Sequence, residues 1–155
     1  MSVMGFINSS PQSEGLLRSV VDSKRTKLLV VDDEPPIVDL VVHLIAHCGY
    51  EIRVAYDGPE AISVAKDFRP DCVMTGIMMP KMDGFELARL ILKFLPDCKF
   101  VVVSSCARAQ ECKDIHAALG FDPRLLVEKP FTPAEIFDAL NLAGFPCTKS
   151  NSTGF

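Results

Sequence analysis

The stretch Lys27-Leu28-Leu29-Val30-Val31-Asp32-Asp33-Glu34-Pro35-Pro36 decides the architecture. Residues 27–31 form a short apolar run with no polar alternation, the pattern of a parallel strand buried on both faces. It ends abruptly in three carboxylates and two prolines. Ile37, Leu40, Val41, Leu44, Ile45 and Cys48 then recur at helical spacing, with Gly49 as a plausible helix stop. A buried strand followed by an amphipathic helix is one half-turn of an alternating α/β fold.

The rhythm continues outward from that unit. Residues 51–55, 72–75, 100–103 and 125–127 read as four more short strands. Between them lie helical patterns carried by Ala61, Ile62 and Ala65, then by Phe85, Leu87, Leu90, Ile91 and Phe94, then by residues 110–119. The last helix opens with Thr132-Pro133-Ala134-Glu135, a capping box with proline at the first helical position, and carries Ile136, Phe137, Leu140 and Leu142. Five strands alternating with five helices imply an α/β fold, a parallel sheet covered on both faces. Ligands of such sheets bind beyond the carboxyl ends of the strands, where the strand order switches. The search for chemistry therefore reduces to five strand ends.

Composition bounds the function. The chain has 155 residues, 48% hydrophobic and 23% charged, the balance of one globular domain with modest extensions. Residues 1–25 hold six serines and no sustained periodicity and are expected to be a flexible leader; 26–143 form the domain, and 144–155 a flexible tail. Sixteen basic against twenty acidic residues give a net charge of −4, which argues against nucleic-acid binding. No apolar run approaches the ~20 residues of a membrane span, and no secretory signal opens the chain. The six cysteines, at 48, 72, 98, 106, 112 and 147, show neither C-x-x-C pairs nor zinc spacing, and are expected as reduced thiols in a cytoplasmic protein.

The strand ends carry the candidate chemistry. Asp32, Asp33 and Glu34 repel one another, and either a hard divalent cation compensates them or they cap the next helix. Ser104 and Ser105 end the fourth strand, where a hydroxyl can bind an anion or simply open a loop. Lys129 stands between the fifth strand and Pro130, which forces extended geometry on it and permits a cis bond. His43 and His47, four apart on the first helix, more often mark a solvated face than a metal site, and His116 is isolated.

Together, Val30-Val31-Asp32-Asp33-Glu34, the segment Pro70 to Gly84 with its Ile77-Met78-Met79-Pro80-Lys81-Met82-Asp83-Gly84, Ser104, and Lys129-Pro130-Phe131 resemble the receiver domain of two-component response regulators, over roughly Thr26 to Ala143. The resemblance implies a doubly wound, CheY-like sheet in strand order 2-1-3-4-5. It implies Mg²⁺ held by Asp32, Asp33 and the backbone carbonyl of Met78. Ser104 and Lys129 would contact an arriving phosphoryl group, since phosphoryl transfer is mainly positioning and charge neutralisation. The implied partners are a sensor histidine kinase or phosphotransfer protein and a downstream protein, met as a monomer or weak dimer. The fourth helix, fifth strand and fifth helix would form the contact face.

One position departs from the family. Its phosphoacceptor aspartate, at the end of the third strand, is here Gly76. Glycine supplies neither a nucleophilic carboxylate nor the third acidic metal ligand, so Mg²⁺ affinity should fall. Thr75 points to the other face by strand alternation, Asp71 lies at the far end of the sheet, and Asp83 belongs to the turn before the third helix. The aromatic residue that receivers often carry three positions before the lysine is here Leu126. Two accounts stay open: a natural pseudo-receiver acting through protein contacts, or an Asp-to-Gly variant of an ordinary phospho-accepting receiver. A flavin- or metal-dependent enzyme on the same fold is the rival class. It is disfavoured by Asp-Asp-Glu-Pro-Pro where a glycine-rich phosphate loop would stand. The expectation is a signalling protein that is not an enzyme.

Overall fold

The computed structural model describes residues 25–105, 114, 117 and 120–147. Five parallel strands form one sheet: β1 (Lys27–Val31), β2 (Glu51–Ala55), β3 (Cys72–Thr75), β4 (Lys99–Ser105) and β5 (Leu126–Lys129), in the order β2-β1-β3-β4-β5. This is the order the resemblance implied. Val31 lies opposite Ala55 on one side and Thr75 on the other, so β1 and its two neighbours end nearly level. Ser104 and Ser105 pair with Glu128 and Lys129.

Strand alternation divides the core in two. Leu28, Val30, Met74, Val101 and Val103 face one layer, with helices α1 (Pro35–Ile45) and α4 (Pro133–Leu142) packed on them. Leu29, Val31, Val73 and Phe100 face the other, under α2 (Gly58–Phe68) and α3 (Gly84–Phe94). Both faces are dry, which explains why the strands lack polar alternation. Three of the four helices start at a capping side chain, and α1 starts at Pro35 instead. Asp57 accepts from the Glu60 amide at 2.8 Å, and Asp83 from the Glu86 amide at 2.8 Å. Thr132 and Glu135 form the reciprocal capping box read from the sequence.

Three expectations need correction. Five helices were expected, and four α-helices stand among the described residues. The helix expected over 110–119 lies outside them apart from Asp114 and Ala117, both helical. The first helix closes at Ile45, so His47 sits in the following turn and the two histidines do not share a helix. The cysteines were expected to be reduced, but Cys48 and Cys147 form a disulfide across 99 residues of sequence. Cys72 and Cys98 are free and buried, as expected, and burial pushes the Cys98 thiol up to about 12. Cys106 and Cys112 lie outside the described residues.

Residues 143–147 fold back so that Cys147 reaches Cys48. Ala143 closes the helix, Gly144 takes a left-handed φ of 99°, and the Gly144 and Phe145 amides donate to Asn141 and Leu140 carbonyls at 3.0 and 2.9 Å. This pair of hydrogen bonds is a Schellman motif, which favours glycine at this turn, and it reverses the chain onto the core. Phe145 and Cys147 pack against the α1–α4 layer, and the Tyr50 hydroxyl donates to the Phe145 carbonyl. Sequence periodicity ended with the helix, so these four residues carried no pattern to read.

Candidate functional site

Because all five strands run the same way, their carboxyl ends share one edge. A cleft of about 280 Å³ opens there, lined by Asp32, Asp33, Glu34, Gly76, Ile77, Met78, Val103, Ser104, Ser105 and Lys129. The fold thus brings together every residue that the sequence placed at the site: Asp32, Asp33, Gly76, Met78, Ser104 and Lys129. Asp32 and Ser104 are buried, Asp33 is exposed, and Met78 is 67% exposed at the mouth. The peptide bond between Lys129 and Pro130 is cis.

The centre of the cleft is an ion pair. Lys129 Nζ donates to Asp32 Oδ2 at 3.0 Å and to Glu34 Oε1 at 3.1 Å, while the Glu34 amide donates to Asp32 Oδ1 at 3.0 Å. Burial pushes the Asp32 carboxyl above its usual range, although the Glu34 amide and Lys129 pull it back. Partial burial pulls the Lys129 ammonium down, but the hydrogen bonds and charges of Asp32 and Glu34 outweigh it and its pKa is raised. A buried carboxylate of this kind needs a cation, and here a side chain supplies it. Glu34 was read only as part of an acidic run. Its link to Lys129 was missed because the two are 95 residues apart.

Gly76 is buried at the end of β3, and its amide donates to the Val31 carbonyl at 3.0 Å. It does not adopt the left-handed backbone that would demand glycine. A Cβ built on it would stand 3.0 Å from Asp32 Oδ2 and 3.7 Å from the Val103 carbonyl. A side chain here would therefore enter directly beside the Asp32 carboxylate. The other oxygen-bearing side chains around β3 and β4 are engaged in hydrogen bonds of their own. Thr75 donates to the Gly76 carbonyl at 2.8 Å, and Asp71 accepts from the Lys27 amide at 2.8 Å at the opposite edge of the sheet. Asp83 caps α3. Ser104 Oγ donates to the Ser105 carbonyl at 3.0 Å.

Divalent cations favour several oxygen donors with net negative charge. The cleft offers Asp32 and Asp33, but position 76 adds none and Lys129 already neutralises Asp32. Among the described residues no cluster of three His, Cys, Asp or Glu side chains is arranged to hold a metal ion. Asp32 and Asp33 are thus acidic side chains that the cleft presents beside Met78 at its mouth.

A doubly wound sheet of order 2-1-3-4-5 with acids, a serine and a lysine converging at its switch point defines a signalling module of the receiver type. Residues 28–141 match the response regulator receiver domain model, and the chain belongs to that family. It is 34% identical over 111 residues to the alkaline phosphatase synthesis transcriptional regulatory protein PhoP of Bacillus subtilis, covering 71% of this chain and 45% of that protein. It is 34% identical over 116 residues to the chemotaxis protein CheY of Thermotoga maritima, covering 74% and 94%. The chain thus spans under half the length of the first relative and nearly all of the second. Among solved structures it resembles the chemotaxis protein CheY4 of Vibrio cholerae, with a TM-score of 0.69 and 28% identity over 77% of this chain and 98% of that one. Receiver domains are signalling modules that interact with histidine kinases or phosphotransfer proteins, and they usually bind Mg²⁺ at the phosphorylation site. No helix among the described residues is long and apolar enough to cross a membrane.

Proposed function

We propose that this chain is a receiver without a phosphoacceptor, held in one charge state by its own lysine and acting through protein contacts. The observation that carries this reading is Gly76, without a side chain, at the cleft end of β3 beside an Asp32 already paired with Lys129. Acetyl phosphate or a phosphohistidine can pass its phosphoryl group only to a nucleophile, and position 76 has no side-chain atom to offer. Mg²⁺ binds weakly at Asp32, Asp33 and the Met78 carbonyl, or not at all, because one carboxylate is missing and another is neutralised. Ser104 and Lys129 are the remaining parts of the phosphoryl site, with Lys129 acting as a fixed counter-ion. The chain works in the cytoplasm as a monomer or weak dimer. It meets a sensor histidine kinase or phosphotransfer protein and a downstream protein, and no nucleic acid.

The first test is intact mass after incubation with Mg²⁺ and acetyl phosphate, beside Gly76→Asp. The expected result is a phosphoryl adduct on the variant alone. The absence of a left-handed φ at Gly76 supports the variant's folding, and the tight 3.0 Å approach to Asp32 Oδ2 requires a shift of a few tenths of an ångström. A mass gain on the unaltered chain sinks the reading. If neither chain gains mass, the supporting residues have lost their function, and a contact module independent of phosphorylation remains.

A further inference from the structure

The receiver fold gives no reason for the chain to be tied to itself at the edge of the sheet opposite the cleft. Cys48 lies three residues after α1, buried in the α1–α4 layer, with its amide donating to the Ile45 carbonyl at 3.0 Å. Cys147 lies three residues after Gly144, at the end of the segment that the Schellman turn folds back. Their bond joins the end of the first helix to the chain following the last. Two further contacts hold the same segment: the Tyr50 hydroxyl on the Phe145 carbonyl, and the Phe145 ring on the core. The segment is thus prepositioned by noncovalent contacts, so that two cysteines distant in sequence meet. Cys72 in β3 and Cys98 just before β4 are buried and form no disulfide.

We propose that Cys48 and Cys147 are a reversible redox site: a disulfide that a thiol reductant opens, releasing the covalent tie between the chain after α4 and the chain after α1. In a compartment rich in reduced thiols, a disulfide in a protein of this size serves as a redox-responsive bond more often than as a permanent staple. The exchange balances simply. A reductant thiolate attacks Sγ of Cys147, the less buried of the two residues, and Cys48 leaves as a thiolate that takes up a proton. A second reductant thiol displaces Cys147 from the mixed disulfide. Two electrons pass to the cystine, and the two reductant thiols become one disulfide. Oxidised glutathione or another small disulfide reverses the sequence.

The consequence is local. With the bond closed, the carboxyl end of α4 is anchored to α1 through Leu140, Phe145 and Cys147. With it open, the Schellman bonds, the Tyr50 hydrogen bond and the Phe145 packing still hold the segment, without the covalent tie. The last turn of α4 should then fray more readily, because the low-stability ends of helices open first. The cleft lies at the other edge of the sheet, so this site works whether or not position 76 accepts a phosphoryl group.

The test uses the full chain equilibrated in buffers of varied reduced-to-oxidised glutathione ratio, then alkylated and mapped without further reduction. Hydrogen exchange and thermal unfolding are followed in parallel, with Cys147→Ser and Cys48→Ala as controls. The expected result is a Cys48–Cys147 peptide pair whose linked fraction tracks the ratio in both directions. Reduction should speed exchange at the Gly144 and Phe145 amides by about tenfold or more, and lower the melting temperature by about 5–10 °C. Both variants should resemble the reduced chain and ignore the reductant. The proposal is overturned if the two thiols are never linked, or if the bond stays closed at every ratio. It is equally overturned if reduction leaves exchange at those amides unchanged, or if the variants keep the full response. The mass test with acetyl phosphate is unaffected by any of these outcomes.

Discussion

Lys129 carries more of the site than any other residue, because its one ammonium satisfies two carboxylates. Asp32 is buried and cannot remain charged without a partner, whereas Glu34 is 59% exposed in its side chain and depends on Lys129 far less. Removing the lysine while keeping Asp32 therefore leaves an uncompensated buried charge. Lys129→Met should destabilise the chain by about 1–2 kcal/mol, less than the roughly 3–5 kcal/mol of a fully buried pair because water reaches the ammonium. Adding Asp32→Asn should recover much of that loss. Urea unfolding of the two single variants and the double variant measures the coupling. Additive losses would show that the pair contributes nothing beyond its separate side chains.

At the scale of elements, the loop from β3 to α3 is held by backbone that approaches backbone. A Cβ placed on Gly84 would lie 2.0 Å from the Gly76 carbonyl oxygen, and the Gly84 amide donates to the Ile77 carbonyl at 2.9 Å. No rotamer relieves such a clash, because both partners are main chain. Gly84→Ala should cost about 3 kcal/mol and displace the Gly76 end of the cleft with it. Equilibrium unfolding measures the cost, and a near-neutral result would mean that the loop has another conformation of similar energy. The neighbouring loop is tied on by Lys81, which donates to Asp57 at 3.1 Å. The Glu60 amide and then Lys81 hold the Asp57 carboxyl below the usual range. Whatever stability this supplies is present above the unfolded carboxyl pKa and is lost as the pH falls through the lowered one.

Across the whole molecule, Tyr50 joins the start of β2 to the chain beyond the last helix. Burial pushes its phenol up to about 12 from a usual value of 10.0. The folded state therefore holds the phenolic proton where the unfolded chain releases it. The associated stability is complete below about pH 10 and disappears as the pH rises through about 12. Tyr50→Phe removes both this dependence and the hydrogen bond to Phe145. The variant should be about 1 kcal/mol less stable near neutrality, with the gap to the unaltered chain closing at high pH. Unfolding free energies at several pH values give the comparison, and a constant gap would refute the assignment.

The sheet and most of the cleft were legible in the sequence because they rest on local signals. Unbroken apolar runs marked strands buried on both faces, Thr132 and Glu135 marked the last helix, and parallel connections required all strand ends to share one edge. That alone brought Asp32, Gly76, Ser104 and Lys129 together, whereas the reading of Gly76 as the acceptor position came only from the family resemblance. What tertiary structure decided was pairing between groups remote in sequence: Lys129 with Glu34, the Tyr50 hydroxyl with Phe145, and Cys48 with Cys147. Such pairs leave no periodicity, since each depends on two segments converging only after the sheet has formed. Residue type and spacing specify which face a side chain occupies, but only the assembled layers determine which distant group it meets there.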